Sequence, residues 1–146
     1  DLIHCQIREM NVDNHNSYEA VSYCWGNPDD LLEIDCNGKR LKIPSNLGAA
    51  LRVLRLEDRS RYLWADAICI NQSDPLDKAK QVPLMRSIYS RSQRTLIWLG
   101  TISDTTTGRM RTLSALSGTF YLTMVYILRH PWFRRAWVVQ EAAVSR

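Results

Sequence analysis

Apolar residues in this chain fall into short runs divided by polar turns, and one run orders the rest. Leu63-Trp64-Ala65-Asp66-Ala67-Ile68-Cys69-Ile70-Asn71-Gln72 follows the charged Arg59-Ser60-Arg61 and ends in Ser73-Asp74-Pro75. Its apolar part is too short for a typical helix, so the pattern predicts a strand buried on both faces, the kind found in α/β sheets. Asp66 breaks the pattern. A carboxylate among apolar neighbours costs several kcal/mol unless hydrogen bonds or a cation compensate it.

The remaining elements follow from local signals. Leu2 to Glu9 alternates loosely, as an edge strand would. Tyr18-Glu19-Ala20-Val21-Ser22-Tyr23-Cys24-Trp25-Gly26 is a β-prone run closed by Gly26, Asn27 and Pro28. Leu32 to Ile43 carries Asn37-Gly38 between two alternating segments, which predicts a hairpin with a type I′ turn inserted at the sheet edge. Pro44-Ser45 opens a helix with Ser45 as N-cap, Leu47, Leu51 and Leu54 as its buried stripe, and Arg52, Arg55 and Glu57 toward water. Asp74-Pro75 opens a second helical stretch, with Ala79, Val82, Met85, Ile88 and Tyr89 at helical spacing. Pro83 either kinks that helix or sits in the first turn of a regular part starting near Val82. Thr95 to Leu99, closed by Gly100, reads as a third core strand, and Thr101 to Thr107 as a polar loop. Met110 to Ser117, Phe120 to Leu128 and the stretch after Pro131 read as helical. Strand, hairpin, helix, strand, helix, strand, helices is the order of an α/β sheet with right-handed crossovers.

Composition narrows the class. The chain has 146 residues, 45% hydrophobic and 23% charged, which fits a single domain spanning residues 1–146 with a real core. No apolar run approaches the roughly 20 residues of a membrane helix, and the first residues lack a signal-peptide layout, so a soluble, cytoplasmic protein with no membrane partner is expected. The chain begins without Met and ends inside an expected helix, as a domain excised from a longer protein would. Cys5, Cys24, Cys36 and Cys69 show neither CxxC spacing nor a nearby His pair; they read as reduced, mostly buried thiols, with no metal site expected. The net charge of +4 is scattered, with a concentration at Arg129, His130, Arg134 and Arg135 that either meets a phosphate or is simply solvated. The absence of a Walker loop, a GxGxxG and a helix-turn-helix signature gives no support to nucleotide hydrolysis, Rossmann redox chemistry or nucleic-acid reading.

Four blocks, in order, resemble the heterokaryon-incompatibility (HET) domain of filamentous fungi. They are Tyr18 to Gly26, Leu63 to Gln72, Gln81-Val82 through Met85 and Ile88-Tyr89 into Trp98-Leu99-Gly100, and Pro131-Trp132-Phe133-Arg134-Arg135-Ala136-Trp137-Val138-Val139-Gln140-Glu141. The third block departs from the family pattern at Asp77-Lys78, where a Glu before the basic residue is usual, and at Pro83. The resemblance implies a role in cell death on contact between unlike fungi. The HET domain is in turn distantly similar to Toll/interleukin-receptor (TIR) domains, which implies a three-layer, flavodoxin-like, mostly parallel sheet. Many TIR domains cleave NAD⁺ with a glutamate four residues after a tryptophan, and Trp137 and Glu141 have that spacing. On this analogy Glu141 is the catalytic carboxylate, NAD⁺ the substrate and no cofactor or metal is needed. Self-association and the other domains of a full-length protein are the expected partners.

In an open parallel sheet, ligands bind beyond the carboxyl ends of the strands. Tyr23, Trp25 and Gly26 end one strand, Asn71 and Gln72 end another, and Gly100 a third. Trp25 either offers a face to a nucleobase or closes the core, while Gly26 permits close backbone approach. Asn71 and Gln72 either touch ligand or satisfy backbone groups where the strand ends. Glu141 is either catalytic or paired with Arg134, Arg135 or Lys78. Asp66 is read as capping a loop or pairing with an Arg rather than as catalytic, and Cys69 as an inert thiol.

Overall fold

A computed structural model of the chain describes residues 2–13, 17–100 and 130–134. The expected loop from Thr101, the two helices over 110–128 and the helix carrying Trp137 and Glu141 lie outside the described residues, as do Arg129 and Arg135.

Two sheets share one core. The first is parallel throughout. It consists of β2 (Glu19–Tyr23) flanked by β5 (Leu63–Trp64) and β6 (Thr95–Trp98). The first core strand in the chain is thus central, with the second and third on either side. All five β2 residues are buried, so the strand covered on both faces is β2. The Leu63–Gln72 run corrects the sequence reading: only its first two residues are strand, and Asp66–Cys69 forms a single helical turn, α2. A short apolar run has the same burial signature in either geometry. Here Ile68 N–H and Cys69 N–H bond back to the Ala65 carbonyl, at 3.0 and 2.8 Å, and wind the chain off the sheet.

The hairpin forms where Asn-Gly predicts it, with β3 (Leu31–Cys36) antiparallel to β4 (Lys39–Pro44). Asn37 and Gly38 have φ of 54° and 76°, the two left-handed residues of a type I′ turn. Its placement differs from the expected insertion at the edge of the parallel sheet. The N-terminal strand β1 shrinks to His4–Cys5 and pairs in parallel with β3, so the hairpin builds a second three-stranded sheet, β1-β3-β4. Ile34 and Ile43 of this sheet and Leu47 of α1 (Ser45–Leu54) pack in one cluster with Val21, Tyr23, Ala65 and Ala67. Ala20, on the other face of β2, packs with Met85 and Tyr89 of α4 (Met85–Arg91). Strand alternation thus sends Val21 and Tyr23 to the hairpin side and Ala20 to the helix side.

Helix boundaries give two further differences. Ser45 is the first residue of α1 rather than its cap; Pro44 holds the cap position, and no side chain caps it. Asp74 does cap α3 (Pro75–Gln81), its carboxylate accepting from Leu76 N–H at 2.8 Å. Pro83 falls in a 3₁₀ turn, Val82–Leu84, between α3 and α4, which removes the interior-proline clash by tightening the helix locally. Among the described residues, no helix is long and apolar enough to cross a membrane.

Candidate functional site

The carboxyl ends of the parallel strands converge on Asp66. Its Oδ1 accepts from the Tyr23 hydroxyl at 2.8 Å and from Ala67 N–H at 2.8 Å, and its Oδ2 accepts from Trp25 Nε1 at 3.0 Å. Asp66 opens α2 beside the end of β2, so the helical turn delivers the carboxylate to the strand's last residues. Burial and the neighbouring Asp66 charge push the Tyr23 phenol far above its ordinary range, so it stays a proton donor to that carboxylate. Tyr23 is 1% exposed and Trp25 41%: the phenol is core and the indole lies half open, oriented by its N–H.

A second knot ties the same end together. Asn46 of α1 donates its Nδ2 to the Cys24 carbonyl at 2.7 Å, and its Oδ1 accepts from Trp98 Nε1 at 2.9 Å. One amide thereby fixes the exit of β2 to the exit of β6. Gly26 and Gly100, with φ of 78° and 93°, turn the chain away just beyond, and a Cβ at either would meet nothing within 4 Å. The result is an open rim lined by an oriented indole.

Of the residues expected at the site, Tyr23, Trp25 and Gly26 are brought together. Gln72 is tied in as support: its Nε2 donates to the Asp66 carbonyl at 2.9 Å. Asn71 serves its own turn, with Oδ1 accepting from Ser73 N–H and Oγ at 3.2 and 2.7 Å and its N–H donating to Asp77 Oδ2 at 2.8 Å. That last bond also gives Asp77, where the chain departs from the family pattern, a structural role. Asp66 is engaged by neutral donors of the protein rather than by an Arg. Burial pushes the Cys69 thiol up, in keeping with an inert side chain. His130 Nδ1 accepts from Trp132 N–H at 3.2 Å, turning the imidazole toward its own chain. Trp137 and Glu141 lie outside the described residues.

Three groups escaped the sequence reading. Asn46 and Trp98 are ordinary-looking residues 52 positions apart. Ser22 of β2 is fully buried and its Oγ accepts from Trp132 Nε1 at 2.6 Å, anchoring the Pro131–Arg134 turn to the central strand. Glu19 is 6% exposed at the opposite, amino end of the sheet. Its carboxylate takes a fork of bonds from Arg61 Nε and Nη2, the latter 3.0 Å, and another from Arg94 Nε. The Arg61 guanidinium, foremost, holds the Glu19 carboxyl below its usual range. An open cleft of about 360 Å³ lies at this amino end, lined by Arg59, Arg61, Tyr62, Gln93 and Arg94 among others, away from the Trp25 rim. A polar residue inside an apolar strand was the available signal for both Ser22 and Glu19.

Comparison with known proteins agrees with the first three blocks, which fall inside the family match; Pro131 to Glu141 lies beyond it. The family described as Heterokaryon incompatibility protein (HET) matches residues 18–123. Heterokaryon incompatibility protein 6, OR allele, of Neurospora crassa is 36% identical over 133 residues, covering 82% of this chain and 20% of that protein. The chain thus spans about a fifth of the length of the curated relative it matches. No solved structure gives a significant match. The family match extends from the start of the central strand through the carboxyl ends that carry Trp25, Asp66 and Trp98, and the chain belongs to the heterokaryon incompatibility (HET) family.

Proposed function

We propose that the chain is a cell-death domain of fungal heterokaryon incompatibility, acting in the cytoplasm by TIR-like cleavage of NAD⁺. Family membership supports the first part. The observation that carries the second is the carboxyl-end rim, where the Trp25 indole is 41% exposed and fixed by its bond to Asp66. The parallel sheet has its second, first and third core strands in that spatial order, as in flavodoxin-like folds, whose ligands sit where the order reverses. That point is the gap between the ends of β2 and β6, beside Trp25 and Gly100. In this reading a nicotinamide or adenine ring stacks on Trp25. Glu141, which shares a helix face with Trp137 in the sequence pattern, stabilises the positive charge that develops at the ribose carbon as nicotinamide leaves. Water completes the reaction to ADP-ribose.

The test is nicotinamide release from NAD⁺ by concentrated or artificially clustered protein. Turnover that falls on the order of 100-fold or more in Glu141→Ala is expected, the scale of losing an electrostatic or acid/base group. Turnover unchanged in Glu141→Ala removes the assignment. One observation favours a second reading, a non-catalytic module that relays death by self-association: both Asp66 oxygens are already occupied by donors of the fold. Absence of turnover under clustering, with killing that survives Glu141→Ala, selects that reading.

A further inference from the structure

Cys5 of β1 and Cys36 of β3 are register partners on neighbouring parallel strands. Paired positions on adjacent strands lie about 4.8 Å apart, inside the Cα separation a disulfide spans. Parallel partners also point to the same side of their sheet. The preceding pair, His4 and Asp35, projects to the other face, where Nδ1 and Oδ2 are 3.7 Å apart. Cys36 is 7% exposed, and Cys5 is half-buried with a path to solvent. Among the described residues, no group of three His, Cys, Asp or Glu side chains could hold a metal ion.

We propose that Cys5 and Cys36 are a disulfide-forming pair, oxidised by a low-molecular-weight disulfide, that locks the N-terminal strand to the hairpin sheet. The more accessible Cys5 attacks one sulfur of the small disulfide; a mixed disulfide forms and one small thiol leaves, carrying the proton that Cys5 gave up. Cys36 then attacks the Cys5 sulfur, the protein disulfide forms, and the second small thiol leaves with the Cys36 proton. Two protein thiols are oxidised and one small disulfide is reduced to two thiols. Burial, followed by the Cys36 neighbour, pushes the Cys5 thiol up to about 12, which keeps the first exchange slow. The lock has something to hold: β1 is two residues long, tied to the hairpin through Asp35 N–H to the Ile3 carbonyl at 2.9 Å, Asn37 N–H to the Cys5 carbonyl at 3.1 Å and Ile7 N–H to Asn37 Oδ1 at 3.1 Å.

The test treats the folded chain with oxidised glutathione and digests it, without reduction, with trypsin and chymotrypsin together, which separates Cys24 from Cys36. The expected product is a linked pair of peptides carrying Cys5 and Cys36, 2 Da lighter than their sum. The midpoint of thermal unfolding should rise by about 5–10 °C and return on reduction, because the bond closes a long loop of the unfolded chain. Cys5→Ser and Cys36→Ser should each abolish both effects. A glutathione adduct that stays on Cys5, links through Cys24 or Cys69 instead, or four unreacted thiols would each overturn the proposal.

Discussion

At the amino end of the parallel sheet a carboxylate, Glu19, is buried against the guanidiniums of Arg61 and Arg94. At the carboxyl end another, Asp66, is held by a phenol, an indole and a backbone N–H. Both bind a strand exit or entry to its neighbours, yet they differ in what they leave open. The Glu19 cluster joins the strand entries: Arg61 precedes β5, Arg94 precedes β6, and Arg61 Nη1 also donates to the Leu54 carbonyl at the end of α1, at 2.7 Å. Its one carboxylate is buried and shared between two guanidiniums. The Asp66 cluster uses neutral donors and sets the carboxylate beside a half-exposed aromatic ring. The first arrangement closes a fold; the second also orients a surface.

The largest effect should come from breaking the amino-end cluster. Glu19→Gln leaves Arg61, whose side chain is 16% exposed, without its counter-ion. Loss of one partner of a buried pair costs about 3–5 kcal/mol, measurable by urea unfolding. The same contact sets a pH dependence. Because the folded-state Glu19 carboxyl is depressed by Arg61, its contribution is present in full above the ordinary carboxylate range and is lost as pH falls through the folded value. Acid unfolding curves of the wild-type chain and Glu19→Gln should therefore converge at low pH. Parallel curves would mean the cluster is not the latch described above.

At the carboxyl end the loss should be smaller. Asp66→Asn keeps one oxygen acceptor but removes the charge and turns the other position into a donor that faces Tyr23 O–H, Ala67 N–H or Trp25 N–H. A buried Tyr23 hydroxyl left without an acceptor costs roughly 1–3 kcal/mol. A cost equal to that of Glu19→Gln would erase the contrast between the two ends.

The same contrast explains what could be read from the chain alone. The hairpin, the central strand and the Asp74 cap are local: Asn37-Gly38, a β-prone run and an Asp-Pro step each specify their own geometry within a few residues. The run at Leu63 misled because burial of a short apolar segment does not distinguish a strand from one helical turn, and the choice between them rests on the bonds to Ala65. The place of Tyr23, Trp25 and Gly26 at the carboxyl end of a strand was legible because all three close one β-prone run. Asn46 and Trp98 were not, and neither was the Glu19 cluster: its partners lie 42 and 75 positions away, and nothing local marks which of the chain's arginines will reach it.

The smallest change sharpens the comparison most. Trp25→Phe removes the indole N–H that reaches Asp66 at 3.0 Å while keeping an aromatic face at the rim. The ring is 41% exposed and Asp66 keeps its bonds from Tyr23 and Ala67, so the stability change should stay below about 1 kcal/mol, the net worth of one partly solvated hydrogen bond. If the indole is a positioned platform, the phenyl ring loses its fixed orientation, and weaker binding of NAD⁺ should follow at nearly unchanged stability, read by titration against the wild-type chain. A loss of stability beyond about 2 kcal/mol would instead class Trp25 with Glu19, as a fold latch that happens to lie near the surface. Unchanged stability with unchanged NAD⁺ affinity would leave the exposed ring without a ligand role and move the weight to the self-association reading.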